Sequence, residues 1–77
     1  MTIIEFNTLS FQNKYETATE YGIYLYNYES ETGAYVCYSF ENFSVEIVYN
    51  NENSIIKIIS YKEDGITNEF SGKIILI

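Results

Sequence analysis

The side chains able to do chemistry are few, and most catalytic arrangements fail for want of parts. The 77-residue chain has no histidine and no arginine. Without histidine there is no imidazole base, no His-based triad and no usual zinc or iron ligand set. Without arginine the bidentate clamp for phosphate or carboxylate is missing. One cysteine, Cys37, can form neither an intrachain disulfide nor a Cys-based zinc site, and in mid-strand it reads as a small packed thiol. No Gly-rich phosphate loop and no strand-to-helix serine elbow is present. Glu46 is the best-placed carboxylate for acid–base work, but a cross-strand partner, Lys57, accounts for it without any reaction. The turn from Asn50 to Asn53 offers oxygen ligands but lacks the acidic positions and glycine of a calcium loop. The expectation is a non-enzyme with no catalytic, cofactor-binding or metal-binding residues.

What remains is recognition. The chain carries nine Tyr and five Phe with no Trp, and eleven acidic residues against four Lys give a net charge of −7. That charge repels nucleic acid and anionic membranes and favours a basic partner, although solubility alone also explains it. Tyrosine keeps its hydroxyl in water while its ring covers a half-exposed sheet face, and it is enriched in binding hot spots. The candidate partner-binding residues are Tyr24, Tyr26, Tyr28, Tyr35 and Tyr61, sharing a face with Val48, Ile55 and Ile59. The acidic Glu29, Glu31 and Glu52 join them at one end of the sheet, while Glu41 and the pair Glu63-Asp64 fall at the other. A β-ladder of Tyr chosen for strand propensity is the plainer alternative.

The elements that must position these residues centre on Ala34 to Tyr61. A two-residue turn at Glu41-Asn42 makes Phe40 face Phe43, Tyr38 face Val45 and Val36 face Ile47, all on one side of the sheet. A turn over Asn50 to Asn53 then sets Ile47 opposite Ile56, Val45 opposite Ile58 and Glu46 opposite Lys57. Ile23 to Tyr28 forms a further strand, joined through a turn around Glu31 and Thr32. Ile23 and Leu25 then meet Phe40 and Tyr38 on the core side, and Tyr24, Tyr26 and Tyr28 lie opposite, beside Tyr35 and Cys37.

Before the strands, Phe11, Tyr15 and Ala18 recur at helical spacing. Thr8 or Ser10 is placed to cap the N-terminus and Gly22 to close the C-terminus in a left-handed conformation. The spacing predicts an amphipathic helix over residues 9 to 21, with Thr17 and Thr19 leaving a strand reading open. Thr2 to Phe6 reads as a short strand or an extended lead-in. After Tyr61, Asp64-Gly65 signals a hairpin that would set Phe70 opposite Ile59, before a last strand from Lys73 to Ile77.

These elements make one α+β domain over residues 1–77, a twisted antiparallel β-meander of four to five strands with an N-terminal helix on one face. No secretory signal or membrane span is visible, so a cytoplasmic location is expected.

The helix, Gly22-Ile23-Tyr24-Leu25, the tract Phe43-Ser44-Val45-Glu46-Ile47-Val48-Tyr49 and the run Ile55-Ile56-Lys57-Ile58 resemble small uncharacterised acidic helix-plus-β-meander proteins of Bacteroidetes or their phages. The likeness covers residues 9 to 61. It rests on strand patterns rather than site signatures, implies a bacterial or phage origin and transfers no activity. Charge, the Tyr row and the missing catalytic chemistry point to an acidic inhibitor of a larger basic, nucleic-acid-handling protein. A phage anti-CRISPR protein or a toxin-immunity protein would be such an inhibitor. A structural module that forms a homodimer through the Tyr face is the alternative.

Overall fold

The computed structural model describes residues 1–62. The Glu63-Asp64 pair, the Asp64-Gly65 hairpin, the facing of Phe70 and Ile59 and the strand from Lys73 to Ile77 lie outside the described residues. Two helices, α1 (Ile3–Asn7) and α2 (Phe11–Tyr21), precede β1 (Ile23–Ser30), β2 (Gly33–Ser39), β3 (Phe43–Asn50) and β4 (Ile55–Lys62). The four strands form one antiparallel sheet in sequence order, so the described fold is an α+β protein built on a β-meander.

The segment expected to be extended at the N-terminus is helical instead. The Thr2 hydroxyl accepts from the Glu5 N–H at 3.1 Å, and Glu5 Oε1 accepts from the Thr2 N–H at 2.8 Å. This reciprocal capping box satisfies two otherwise orphaned amides and lets a five-residue helix form. Its effect on packing is to turn the Phe6 ring into the core.

Thr8 closes α1 rather than opening the next helix, its N–H and hydroxyl both donating to the Glu5 carbonyl at 3.2 and 2.7 Å. Ser10 caps α2 by accepting from the Asn13 N–H at 3.1 Å. On α2, Ala18 is buried and Tyr15 packs against the core, whereas Phe11 at the first position is exposed.

Gly22 does cap α2, but not in a left-handed conformation. Its φ of −76° and ψ of 154° are extended, and its N–H donates to the Ala18 carbonyl at 3.0 Å. Glycine is needed here for space. A Cβ at this position would stand 2.6 Å from the Ala18 carbonyl oxygen and 2.9 Å from Tyr38 Cβ.

The central register follows the sequence expectation, with Tyr38 opposite Val45 and Val36 opposite Ile47. At the turn, Phe40 and Phe43 stack with ring centroids 4.8 Å apart, and the Phe40 N–H donates to the Phe43 carbonyl at 2.8 Å. Phe43, Val45 and Ile47 of β3, Phe6 of α1 and Ala18 of α2 make a single buried cluster, edged by Ile3, Leu9, Tyr15, Tyr38, Phe40, Tyr49, Ile55 and Ile58.

Two irregularities change the outer strands. Between β3 and β4 the ladder pairs Ile47 with Ile58, Val48 with Lys57 and Glu46 with Ile59, then shifts so that Tyr49 meets Ile55. The expected pairing was offset by two residues, so the Glu46–Lys57 cross-strand pair is not formed. Ile56 is passed over at the shift and stands exposed, while Ile55 joins the core cluster instead of the opposite face. The loop is held by Asn50, whose Oδ1 accepts from the Glu52 and Ser54 N–H groups at 2.8 and 3.0 Å, and Asn53 adopts a positive φ of 65°.

Between β1 and β2 the register is as expected from Tyr26 opposite Cys37 to Ser30 opposite Gly33, but it slips at Leu25, beyond which Tyr24 faces Tyr38. Ile23 and Leu25 are consequently exposed rather than buried against Phe40 and Tyr38, with Ile23 at 69%.

Candidate interaction surface

Side chains alternate along each strand, so the face opposite the core cluster is lined by every second residue. One row across β1, β2, β3 and β4 reads Tyr28, Tyr35, Val48 and Lys57, and the next reads Tyr26, Cys37, Glu46 and Ile59. Ser44 and Tyr61 are paired further along the same face.

Tyr28 and Tyr35 are the open members of the tyrosine set on this face. They are 46% and 37% exposed, and their rings meet edge to face with centroids 6.1 Å apart. Tyr26 and Tyr61 are half-buried. They flank a polar group at the middle of the face, where Cys37 and Ser44 are buried at 2% and 3% exposure. The Tyr61 hydroxyl donates to Glu46 Oε1 at 3.0 Å. Burial, then the negative charge and hydrogen bond of Glu46, push the Tyr61 hydroxyl up to about 12. Burial, then interaction and hydrogen bonding with Cys37, push Tyr26 likewise to about 12. Both hydroxyls thus stay protonated, as hydrogen-bonding groups, beyond the pH at which an ordinary tyrosine ionises.

Tyr24 departs from the expected row. The irregularity at Leu25 turns it to the other face, where its ring meets Tyr38 edge to face at 6.2 Å and its hydroxyl donates to Asn27 Oδ1. The expected stripe of Tyr24, Tyr26 and Tyr28 is therefore broken, and Tyr26 is not freely presented.

Of the acidic set, Glu29 is near the end of β1, Glu31 is in the β1–β2 turn, and Glu52 is in the β3–β4 loop. Those two connections lie at the same end of the meander, with Gly33 paired to Asn50 between them. Glu29 pairs with Ala34 and so occupies the same face as the core cluster, beyond its buried part. Glu46 and Cys37 were not among the expected interaction residues. Their meeting was nonetheless implied by the central register, which sets position 37 opposite 46.

Fold and surface together define an α+β meander protein with an exposed Tyr pair beside an acidic end. No protein-family model, curated protein or solved structure matches the chain. Among the described residues, no helix is long and apolar enough to cross a membrane.

Proposed function

We propose that this protein is a non-enzymatic binding module that inhibits a larger basic, nucleic-acid-handling bacterial protein, in the manner of a phage anti-CRISPR or a toxin-immunity protein. The observation that carries the reading is the exposed Tyr28–Tyr35 pair beside the acidic end of the sheet, with Lys57 two strands away from Tyr35 at the β4 end of the same row. Residues 15 to 56 contain no Lys or Arg, while Glu29, Glu31 and Glu52 gather at the Tyr28 end of the sheet. Long-range charge would steer the encounter and the desolvated rings would supply affinity. In this reading the helices form a layer over the Val45–Ile47 face, supported by the cluster that Phe6 and Ala18 share with β3. The opposite face, with the adjoining acidic turns, is left to the partner, and the protein acts in the cytoplasm.

The test is affinity capture from a bacterial lysate at low and high salt, with the wild-type chain and a Tyr28→Ser/Tyr35→Ser variant. A stoichiometric basic protein, weakened by salt and lost with the variant, is the expected result. Equal capture by both chains would overturn the surface assignment. The apolar strip formed by Tyr28, Tyr35 and Val48 also supports a second reading, a homodimer joined through this face. Sedimentation showing a dimer that the same substitutions dissociate, with no basic protein captured, would favour it.

A further inference from the structure

Within the described sheet β1 is an outer strand that pairs with β2 alone. In an antiparallel ladder every second residue turns its N–H and C=O away from the neighbouring strand. The outer side of β1 therefore offers a row of backbone donors and acceptors, the template used when an extended peptide adds to a sheet. Seven of the eight β1 residues are exposed, Tyr26 being the exception. The irregularity at Leu25 interrupts only the start of the strand, and the pairing from Tyr26 to Ser30 is regular. The described sheet's other outer strand, β4, carries Lys57 and Lys62, charges that commonly blunt an edge, whereas β1 contains neither lysine nor proline.

Charge selects the occupant. Glu29 lies on the strand, Glu31 follows it, and Glu20 precedes it in the last turn of α2. No cation occurs in the chain between Lys14 and Lys57. A second copy docking edge to edge through β1 would bring the same Glu29 and Glu31 and a like net charge of −7.

We propose that the β1 edge receives an extended segment of a basic partner in which Lys or Arg alternates with apolar residues. The ladder is formed along Tyr26 to Ser30, cations meet Glu29 and Glu31, and the apolar positions cover the exposed Ile23 and Leu25. This inference rests on the binding reading above and states how the partner is held.

The experiment titrates the isotope-labelled full chain with an octapeptide alternating lysine and valine, and with the same peptide N-methylated at alternate amides. Backbone NMR shifts are expected to centre on Asn27, Tyr28 and Glu29. Affinity should fall at least about tenfold on N-methylation, because ladder hydrogen bonds are lost, and comparably in a Glu29→Lys/Glu31→Lys variant. Equal binding of both peptides, shifts centred on β4, or slow amide exchange along the outer side of β1 in the free monomer would each overturn it. A dimer formed through this edge would do the same. If the edge fails but the salt-sensitive basic protein is still captured through Tyr28 and Tyr35, the binding reading survives. If N-methylation abolishes peptide binding but no basic protein is captured, the edge survives without it.

Discussion

Tyr61 and Glu46 are joined across β3 and β4 by a hydrogen bond of 3.0 Å, in a ladder that sets Ile59, not Lys57, opposite Glu46. The half-buried carboxylate thus takes a phenol, rather than an ammonium directly across the ladder, as its partner. Tyr61→Phe removes the donor and keeps the ring, and should lower stability by about 1.5–3 kcal/mol, the range for a hydrogen bond to a charged group. Glu46→Gln retains an acceptor oxygen and should cost less. Urea unfolding midpoints of the two variants, compared at neutral pH, decide the order.

Alkaline pH should destabilise the fold over a defined window. The hydroxyls of Tyr26 and Tyr61 are raised from 10.0 to about 12, each first by burial. Their contribution is therefore fully present below pH 10.0, where they are neutral in both folded and unfolded chains. It is lost as pH rises through about 12, because the unfolded chain ionises first. Tyr38 and Tyr49 are raised in the same direction, again chiefly by burial. Unfolding free energy measured against pH should fall across that interval, and less steeply in Tyr61→Phe. A flat profile would contradict the arrangement of the polar cluster.

Gly33 should be the least replaceable of the glycines in the described residues. Its φ of +156° is disfavoured for other residues, and an added Cβ would lie 2.0 Å from the Tyr49 carbonyl oxygen of the neighbouring strand. Gly33→Ala should cost about 3 kcal/mol or more, combining backbone strain with a displaced ladder. Gly22→Ala meets a steric barrier alone, since its φ is ordinary. Thermal midpoints should rank Gly33→Ala below Gly22→Ala, and both below the wild type.

Phe6 should behave as a core residue despite its place near the start of the chain. Its ring centroid lies 5.7 Å from that of Phe43 and 6.1 Å from that of Phe40. Phe6→Ala should cost about 3–5 kcal/mol, as deletion of a buried aromatic ring does. A loss under about 1 kcal/mol in denaturant unfolding would contradict the burial of this ring in the core.

The parts of the fold legible in the sequence are those where a turn and an alternating pattern constrain the same strands. Glu41-Asn42 and the six apolar residues around it gave one consistent β2–β3 register, and the structure has it. The β3–β4 error was of a kind such a pattern cannot detect. A slip of two residues returns every side chain to its own face, so Val45 and Ile47 stay buried in either register. The only discriminator was the apparent match of Glu46 with Lys57, and it pointed to the wrong pairing.

The irregularity at Leu25 was invisible for another reason. Ile23 and Leu25 carry the residue types of a buried strand face, and nothing in Gly22-Ile23-Tyr24-Leu25 marks an extra residue. This slip alone moved Tyr24 off the expected surface. The α1 helix, by contrast, had a readable signal in Thr2-Ile3-Ile4-Glu5, a threonine followed three positions later by glutamate. Ile3, Ile4 and Phe6 satisfied an extended reading and masked it.

The position of Cys37 equips the native chain with its own clock. This sole thiol sits at the centre of β2, 2% exposed, between strands on both sides. A water-soluble disulfide reagent can reach it only when the side chains that cover it on this face, Tyr26 among them, move aside or the sheet parts, so labelling reports an opening of the structure rather than the reactivity of an exposed thiol. At saturating reagent the labelling rate becomes the opening rate itself, and at low reagent it gives the equilibrium between closed and open forms. The opening of this face of the sheet can thus be followed in dilute, unmodified protein, without denaturant and without an engineered label.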